Sequence, residues 1–137
     1  MLYLSKRMTQ LARAMKVHED SLQVNTRTFR VNYMELENAV VAFFFEDRMR
    51  LGTMAIAVPG SEEIAVGRSS ILMGGKYLMT TRALAERLAG RTRKMAIVSL
   101  FTELNEAEAL RIYSKLLDKT AAWEESGILP NSIGQNV

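Results

Sequence analysis

Residues 69–101 read SSILMGGKYLMTTRALAERLAGRTRKMAIVSLF, and this order of residue types decides the fold. Ser70-Ile71-Leu72-Met73 is a short apolar run that Gly74-Gly75 breaks, as a strand entering a turn does. From Thr81 to Gly90 the spacing is helical, with Leu84, Ala85 and Leu88 on one face and Arg82, Glu86 and Arg87 on the other. Arg91-Thr92-Arg93-Lys94 closes the turn, and Met95–Phe101 is a buried-type strand with few polar breaks. The unit is a scaffold that presents basic side chains at one end. It holds no set of residues arranged for bond-making chemistry.

Downstream, Asn105 followed by Glu108 has the form of a capping box, and Glu106 and Glu108 suit the positive end of a helix. Ala109, Leu110, Ile112, Tyr113, Leu116, Leu117 and Trp123 give that helix a broad apolar face through about residue 124, with Lys115 and Lys119 in its later turns. Gly127 and Pro130 end regular structure, which leaves 127–137 as a loose tail.

Upstream, strand signals begin at Leu22. Val24, Thr26 and Thr28 are followed by Phe29, Val31, Tyr33 and Leu36, and the phase shift at Thr28–Phe29 is the mark of a bulge. Glu37-Asn38 turns into Ala39–Phe45, Glu46–Met49 turns again, and Leu51–Val58 is the next strand before Pro59-Gly60. Residues 61–68 read as a loop with a short helical or extended piece. Residues 1–20 form a basic arm. Leu4, Met8, Leu11 and Met15 recur at the spacing of one helical stripe, and 1–17 carries Lys6, Arg7, Arg13 and Lys16 with no acid. Packing on the domain or on a partner, a transit peptide, a membrane-surface helix and a disordered tail all fit that pattern. His18, beside Glu19-Asp20, reads as exposed in the connection.

At 137 residues with 48% hydrophobic and 24% charged content, the chain fits one soluble domain, placed at 21–126. The absence of cysteine excludes disulfides, thiolate metal sites and cysteine nucleophiles, and fits a reducing, cytoplasmic setting. A single histidine excludes a multi-histidine metal site, and the net charge of +3 is mild for a nucleic-acid binder. No apolar run reaches the roughly 20 residues of a membrane helix.

These elements make an α+β domain with a mostly antiparallel sheet and two helices on one face. Ala39–Phe45, Leu51–Val58 and Met95–Phe101 are apolar at both alternating positions, so both sides of the sheet call for cover. Two helices cover one side, and the first helix is too short to cover the other alone. Each apolar side chain left bare forgoes about 1.5–3 kcal/mol. The expected cover is a second subunit, packed through Val41, Phe43, Phe45, Met54, Ile56 and Val58.

Candidate chemistry is thin. Gly74-Gly75-Lys76 lacks the spacing of a phosphate loop, since Ser70 stands where a glycine is required and Tyr77 replaces the Ser/Thr. It reads as a turn feeding a helix capped at Thr80/Thr81, with an incidental anion site as the alternative. Arg82, Arg87, Arg91, Arg93 and Lys94 are the densest basic group. They suit a solvated face with Arg82–Glu86 pairing, a docking surface for an acidic partner, or less readily nucleic acid. Glu35, Glu37, Glu46, Asp47, Glu62 and Glu63 have no spacing that marks an acid/base pair. Phe43-Phe44-Phe45 and the nine methionines belong to core and interface, and no cofactor is expected.

Across Ser70–Ser99 the chain resembles the small proteasome assembly chaperones of the third and fourth types, most closely the fourth. The residues that carry the resemblance are Leu72-Met73-Gly74, Thr81-Arg82-Ala83-Leu84-Ala85-Glu86-Arg87-Leu88-Ala89, the basic turn Arg91–Lys94, and Ile97-Val98-Ser99. The element order from about Thr26 to Lys119 agrees too. The resemblance implies a non-enzymatic protein, dimeric with itself or a sister chaperone, that binds α-type subunits of the 20S proteasome while their ring forms. Gly75 departs from the acid the family often has there, and the basic first helix is no hallmark of it. Gln135-Asn136-Val137 lacks the hydrophobic-Tyr-x ending of other proteasome-binding chaperones, so docking would use the body of the domain. A dimeric adaptor without a proteasome link, and a basic nucleic-acid module, are the alternative functions.

Overall fold

A computed structural model describes residues 17–61 and 68–120. Six strands form one mixed sheet: β1 Val17–Val24, β2 Arg27–Glu35, β3 Ala39–Glu46, β4 Thr53–Val58, β5 Arg68–Met73 and β6 Met95–Phe101. Their spatial order is β1-β2-β3-β6-β4-β5. The β3–β6 pair is parallel, and every other pair is antiparallel. Helix α1 (Leu78–Thr92) packs over β4, β5 and β6, and α2 (Glu106–Lys119) packs over α1, β1 and β2. This is the expected α+β domain with two helices on one face.

Several particulars differ from the sequence reading. The phase shift before Phe29 is a hairpin, not a bulge. Val24 pairs Arg27 and Leu22 pairs Phe29 across the two-residue turn Asn25-Thr26, with Asn25 at φ 57°. Such a turn carries the core-facing positions from even to odd numbers, which is why the alternation changes phase. β1 accordingly begins at Val17 and takes in His18-Glu19-Asp20. His18 is half-buried, its ring stacked on Tyr33 at 4.7 Å. Residues 1–16, with the helical stripe expected there, lie outside the described residues, as do Trp123 and the tail.

Strands β3 and β4 do not meander side by side, because β6 enters between them. The connection 47–52 crosses two strand spacings, about 10 Å, which six residues span with ease. The greasiest run downstream thereby takes a central position, buried on both edges.

The core lies between the sheet and the helices. Phe29, Val31 and Tyr33 of β2, Val40, Ala42 and Phe44 of β3, and Ala96, Val98 and Leu100 of β6 meet Leu84, Ala85 and Leu88 of α1 and Ile112, Tyr113, Leu116 and Leu117 of α2. Tyr113 receives Phe29 and Phe44 edge-on, at 5.6 and 5.9 Å between ring centres. Gly52 is a point of close approach. A Cβ there would stand 2.0 Å from the Leu100 carbonyl oxygen, and its N–H donates to Ser99 Oγ at 2.9 Å.

Candidate protein interface

Alternation along the strands sends Val40, Ala42 and Phe44 into the core and Val41, Phe43 and Phe45 to the opposite face. Register aligns this second set into rows across the sheet. One row is Val17–Met34–Val41–Ile97–Ile56; the next is Asn32–Phe43–Ser99–Met54 with Met73 beyond it. At one end Phe45 sits between Arg30 and Phe101, with the Arg50 guanidinium 5.1 Å above the Phe101 ring. No described element covers this face. Met34, Val41, Phe43, Met54, Ile56 and Ile97 are half-buried by their neighbours in the sheet alone, and Val58, Leu72 and Met73 are 45%, 50% and 63% exposed. Of the six residues expected at a subunit interface, Val41, Phe43, Met54, Ile56 and Val58 share this accessible apolar face, whereas Phe45 points the same way but is only 4% exposed. Soluble monomers rarely leave such a continuous patch in water.

The basic group behaves differently. Arg87 Nη2 lies 2.5 Å from Asp118 Oδ1 on α2, and Arg91 reaches the same carboxylate at 3.4 Å. Lys94 Nζ donates to Glu35 Oε2 and to the Leu36 carbonyl, both at 3.0 Å. These three cations therefore pin α1 to α2 and β6 to β2. Arg82 donates to Ser69 Oγ at 3.0 Å, and the Ser69 hydroxyl donates to Glu86, so the expected Arg82–Glu86 pairing runs through a strand residue. Arg93 holds the left-handed position that ends α1, at φ 60°, with its side chain exposed and without an ionic partner among the described residues.

Two polar nodes were not visible in the sequence. Glu106, from the first turn of α2, accepts the Thr80 N–H at 2.8 Å and the Thr80 hydroxyl at 2.6 Å. It thus supplies the negative charge at the start of α1 that an external anion would otherwise bring. Thr80 and Thr81 are not the cap: the helix starts at Leu78 behind a left-handed Tyr77, and Thr81 donates back to the Tyr77 carbonyl at 2.6 Å. The Tyr77 hydroxyl donates to the Thr102 and Leu104 carbonyls, and burial, aided by the Glu106 charge, raises its phenol pKa. By contrast, Asn105 caps α2 as its spacing indicated, accepting from the Glu108 N–H at 2.9 Å.

The second node is Glu46, at the end of β3. It receives a forked pair of bonds from Arg27 at 2.6 and 2.9 Å, with the Thr102 hydroxyl and the Glu103 N–H on the same carboxylate. Burial pushes its pKa up, but the Arg27 bond and these further donors prevail and hold the carboxyl below its ordinary value. A carboxylate so occupied is a structural tie between strand ends, not an acid poised to give up a proton. Its neighbours Asp47, Arg48, Arg50, Phe101 and Glu103 line a hollow of about 150 Å³. Among the described residues no group of three or more His, Asp or Glu could hold a metal ion, and no helix is long and apolar enough to cross a membrane.

No family model matches the chain, and no curated protein does either. Among solved structures, a chain of a chaperone complex for yeast 20S proteasome assembly superposes with a TM-score of 0.61 at 14% identity, over 80% of this chain and 97% of that one. At that identity the likeness is one of fold: this chain folds as a proteasome assembly chaperone does.

Proposed function

We propose that the protein is a non-enzymatic assembly chaperone of the 20S proteasome that works as a dimer, with itself or a sister chain, and binds α-type subunits. The observation that carries this reading is the uncovered apolar face of a domain whose fold is that of a proteasome assembly chaperone. Burying that face in a partner sheet removes from water side chains worth about 1.5–3 kcal/mol each. The polar nodes fit the same reading, because each is satisfied internally and holds elements together.

Docking would then use the domain surface. Within the basic group Arg82 and Arg93 offer the most available charge, since Arg87, Arg91 and Lys94 also serve internal ties. Affinity capture of the tagged chain should enrich α-type proteasome subunits over other abundant complexes. No enrichment, together with normal core-particle assembly after deletion of the gene, overturns the proposal. Reversing Arg93 to Glu should weaken that capture while leaving the unfolding midpoint in place; undiminished capture moves the docking surface elsewhere. An adaptor without a proteasome link predicts dimerisation with no such enrichment.

A further inference from the structure

The two edges of the sheet end differently. Along β1, side chains occupy the backbone groups of Ser21. Asp20 Oδ1 accepts its N–H at 2.8 Å, and Lys119, reaching across from α2, donates to its carbonyl and to Asp20. With Glu19 exposed beside them, that edge carries the charges by which natural sheets refuse further strands. The opposite edge has no such device. Ser69-Ser70-Ile71-Leu72-Met73 contains no charge and no proline, and β5 pairs only β4 among the described strands. No hydrogen bond from a described residue reaches the outer backbone groups of this stretch. The strand is nonetheless held in place. Ile71 packs against the core, and the Ser69 hydroxyl is tied to Glu86 and Arg82 of α1, so the peptide groups are already ordered for a partner strand.

Two cations stand at the start of this edge, on opposite faces of the sheet. Arg68 pairs Val58 on the uncovered face and has no ionic partner among the described residues. Arg82 lies exposed on the helix side and uses only its Nε, on Ser69 Oγ at 3.0 Å. Glu86, beside them, accepts from the Ser69 hydroxyl. A second copy would lay its own uncharged Ser69–Met73 against the edge and leave both cations unmatched, whereas carboxylates match them. We infer that the outer edge of β5 binds an extended, acid-bearing segment of another protein, which adds to the six-stranded sheet as a further strand with its carboxylates beside Arg68 and Arg82. Hydrogen bonds between peptide groups hold the segment, and the two cations select its charge. Toward the far end, Leu72 and Met73 are exposed to meet its apolar side chains. A partner sheet on the uncovered face covers side chains and not this edge, so the site does not depend on the dimer.

The probe is a fluorescein-labelled peptide of about ten residues, alternating Val and Thr with Glu at both ends. Fluorescence anisotropy should show it binding the full chain, and absence of binding overturns the inference. Two further probes carry N-methyl groups on alternate residues, one set odd and the other even. A strand offers its neighbour the N–H of every second residue, so one set should lose at least about tenfold in affinity while the other binds as before. Equal loss in both sets, or none in either, would mean that side chains alone dock, and the added strand is then wrong. Arg68→Glu alters a side chain with no ionic partner among the described residues. It should weaken the Glu-ended probe by about threefold or more and strengthen a Lys-ended one; identical affinities refute the charge assignment. In the free chain, alternate amides of Ser69–Met73 should exchange quickly with solvent and slow when the probe binds. If all of them already exchange slowly, the edge is taken by this chain or by a second copy, and the inference fails.

Discussion

Glu106 does at the start of α1 what a side chain of that helix would ordinarily do. With Tyr77 offering no cap, the early N–H groups rely on a carboxylate from another helix. Replacing Glu106 by Ala removes a charged acceptor from two donors and should lower stability by about 1–2 kcal/mol, read from urea unfolding. Glu106→Gln keeps an acceptor oxygen and should lose less. Equal stability of all three chains would remove Glu106 from the account. Glu46 gives a pH dependence whose sign follows from its lowered folded pKa. Its contribution is complete above the ordinary carboxylate value of 4.5 and is lost as pH falls through the folded value. Asp20 acts in the same direction: burial opposes ionisation, but the Ser21 N–H and Lys119 outweigh it. The unfolding midpoint should therefore fall as pH drops below about 4.5, and Glu46→Gln should flatten that slope while lowering the midpoint at neutral pH. A slope unchanged in Glu46→Gln would refute the assignment.

At the scale of elements, long periodic stretches could be read from residue types alone, and pairings could not. The Asn105–Glu108 cap and the helix around Leu84, Ala85 and Leu88 follow from spacing within one turn. The order β3-β6-β4 depends on which strand is greasy enough for the centre, a choice made by the whole sheet. The β1–β2 hairpin was hidden because Asn25-Thr26 lacks the glycine that marks most tight turns, and its parity change mimics a bulge. The Glu106 and Glu46 ties join residues 26 and 19 apart in sequence, and no local pattern announces them. The basic group was legible as a group, yet three of its members find partners on other elements, which spacing does not disclose. Gly52 is the sharpest element-scale test. Only a hydrogen fits at this position, because the Leu100 backbone stands where a Cβ would go, so Gly52→Ala must push β4 away from β6. Overpacking of this kind costs about 1–3 kcal/mol or more, and β4–β6 amides should lose hydrogen-exchange protection before those of β1–β2. Uniform loss of protection would show that the contact is not local.

The whole molecule is a sheet finished on one side. Its helices bury the even-numbered residues of β3, and no described element covers Val41 or Phe43 in return, while Phe45 is buried among its neighbours in the sheet. Phe43 lies on the uncovered face, in the row next to that of Val41 and Ile56, and so reports the sheet-to-sheet contact directly. In a symmetric pair each substitution acts twice. Phe43→Glu removes about 1.5–3 kcal/mol of apolar burial from each copy, so the dimer should weaken by about a hundredfold to ten-thousandfold. Its half-buried position faces away from the core, so the monomer should keep its far-ultraviolet spectrum and cooperative unfolding. Native mass spectrometry across a dilution series measures the shift. If Phe43→Glu and the unaltered chain dissociate at the same concentration, the face is not where copies meet, and its apolar rows must be covered by residues of the same chain or by a different protein.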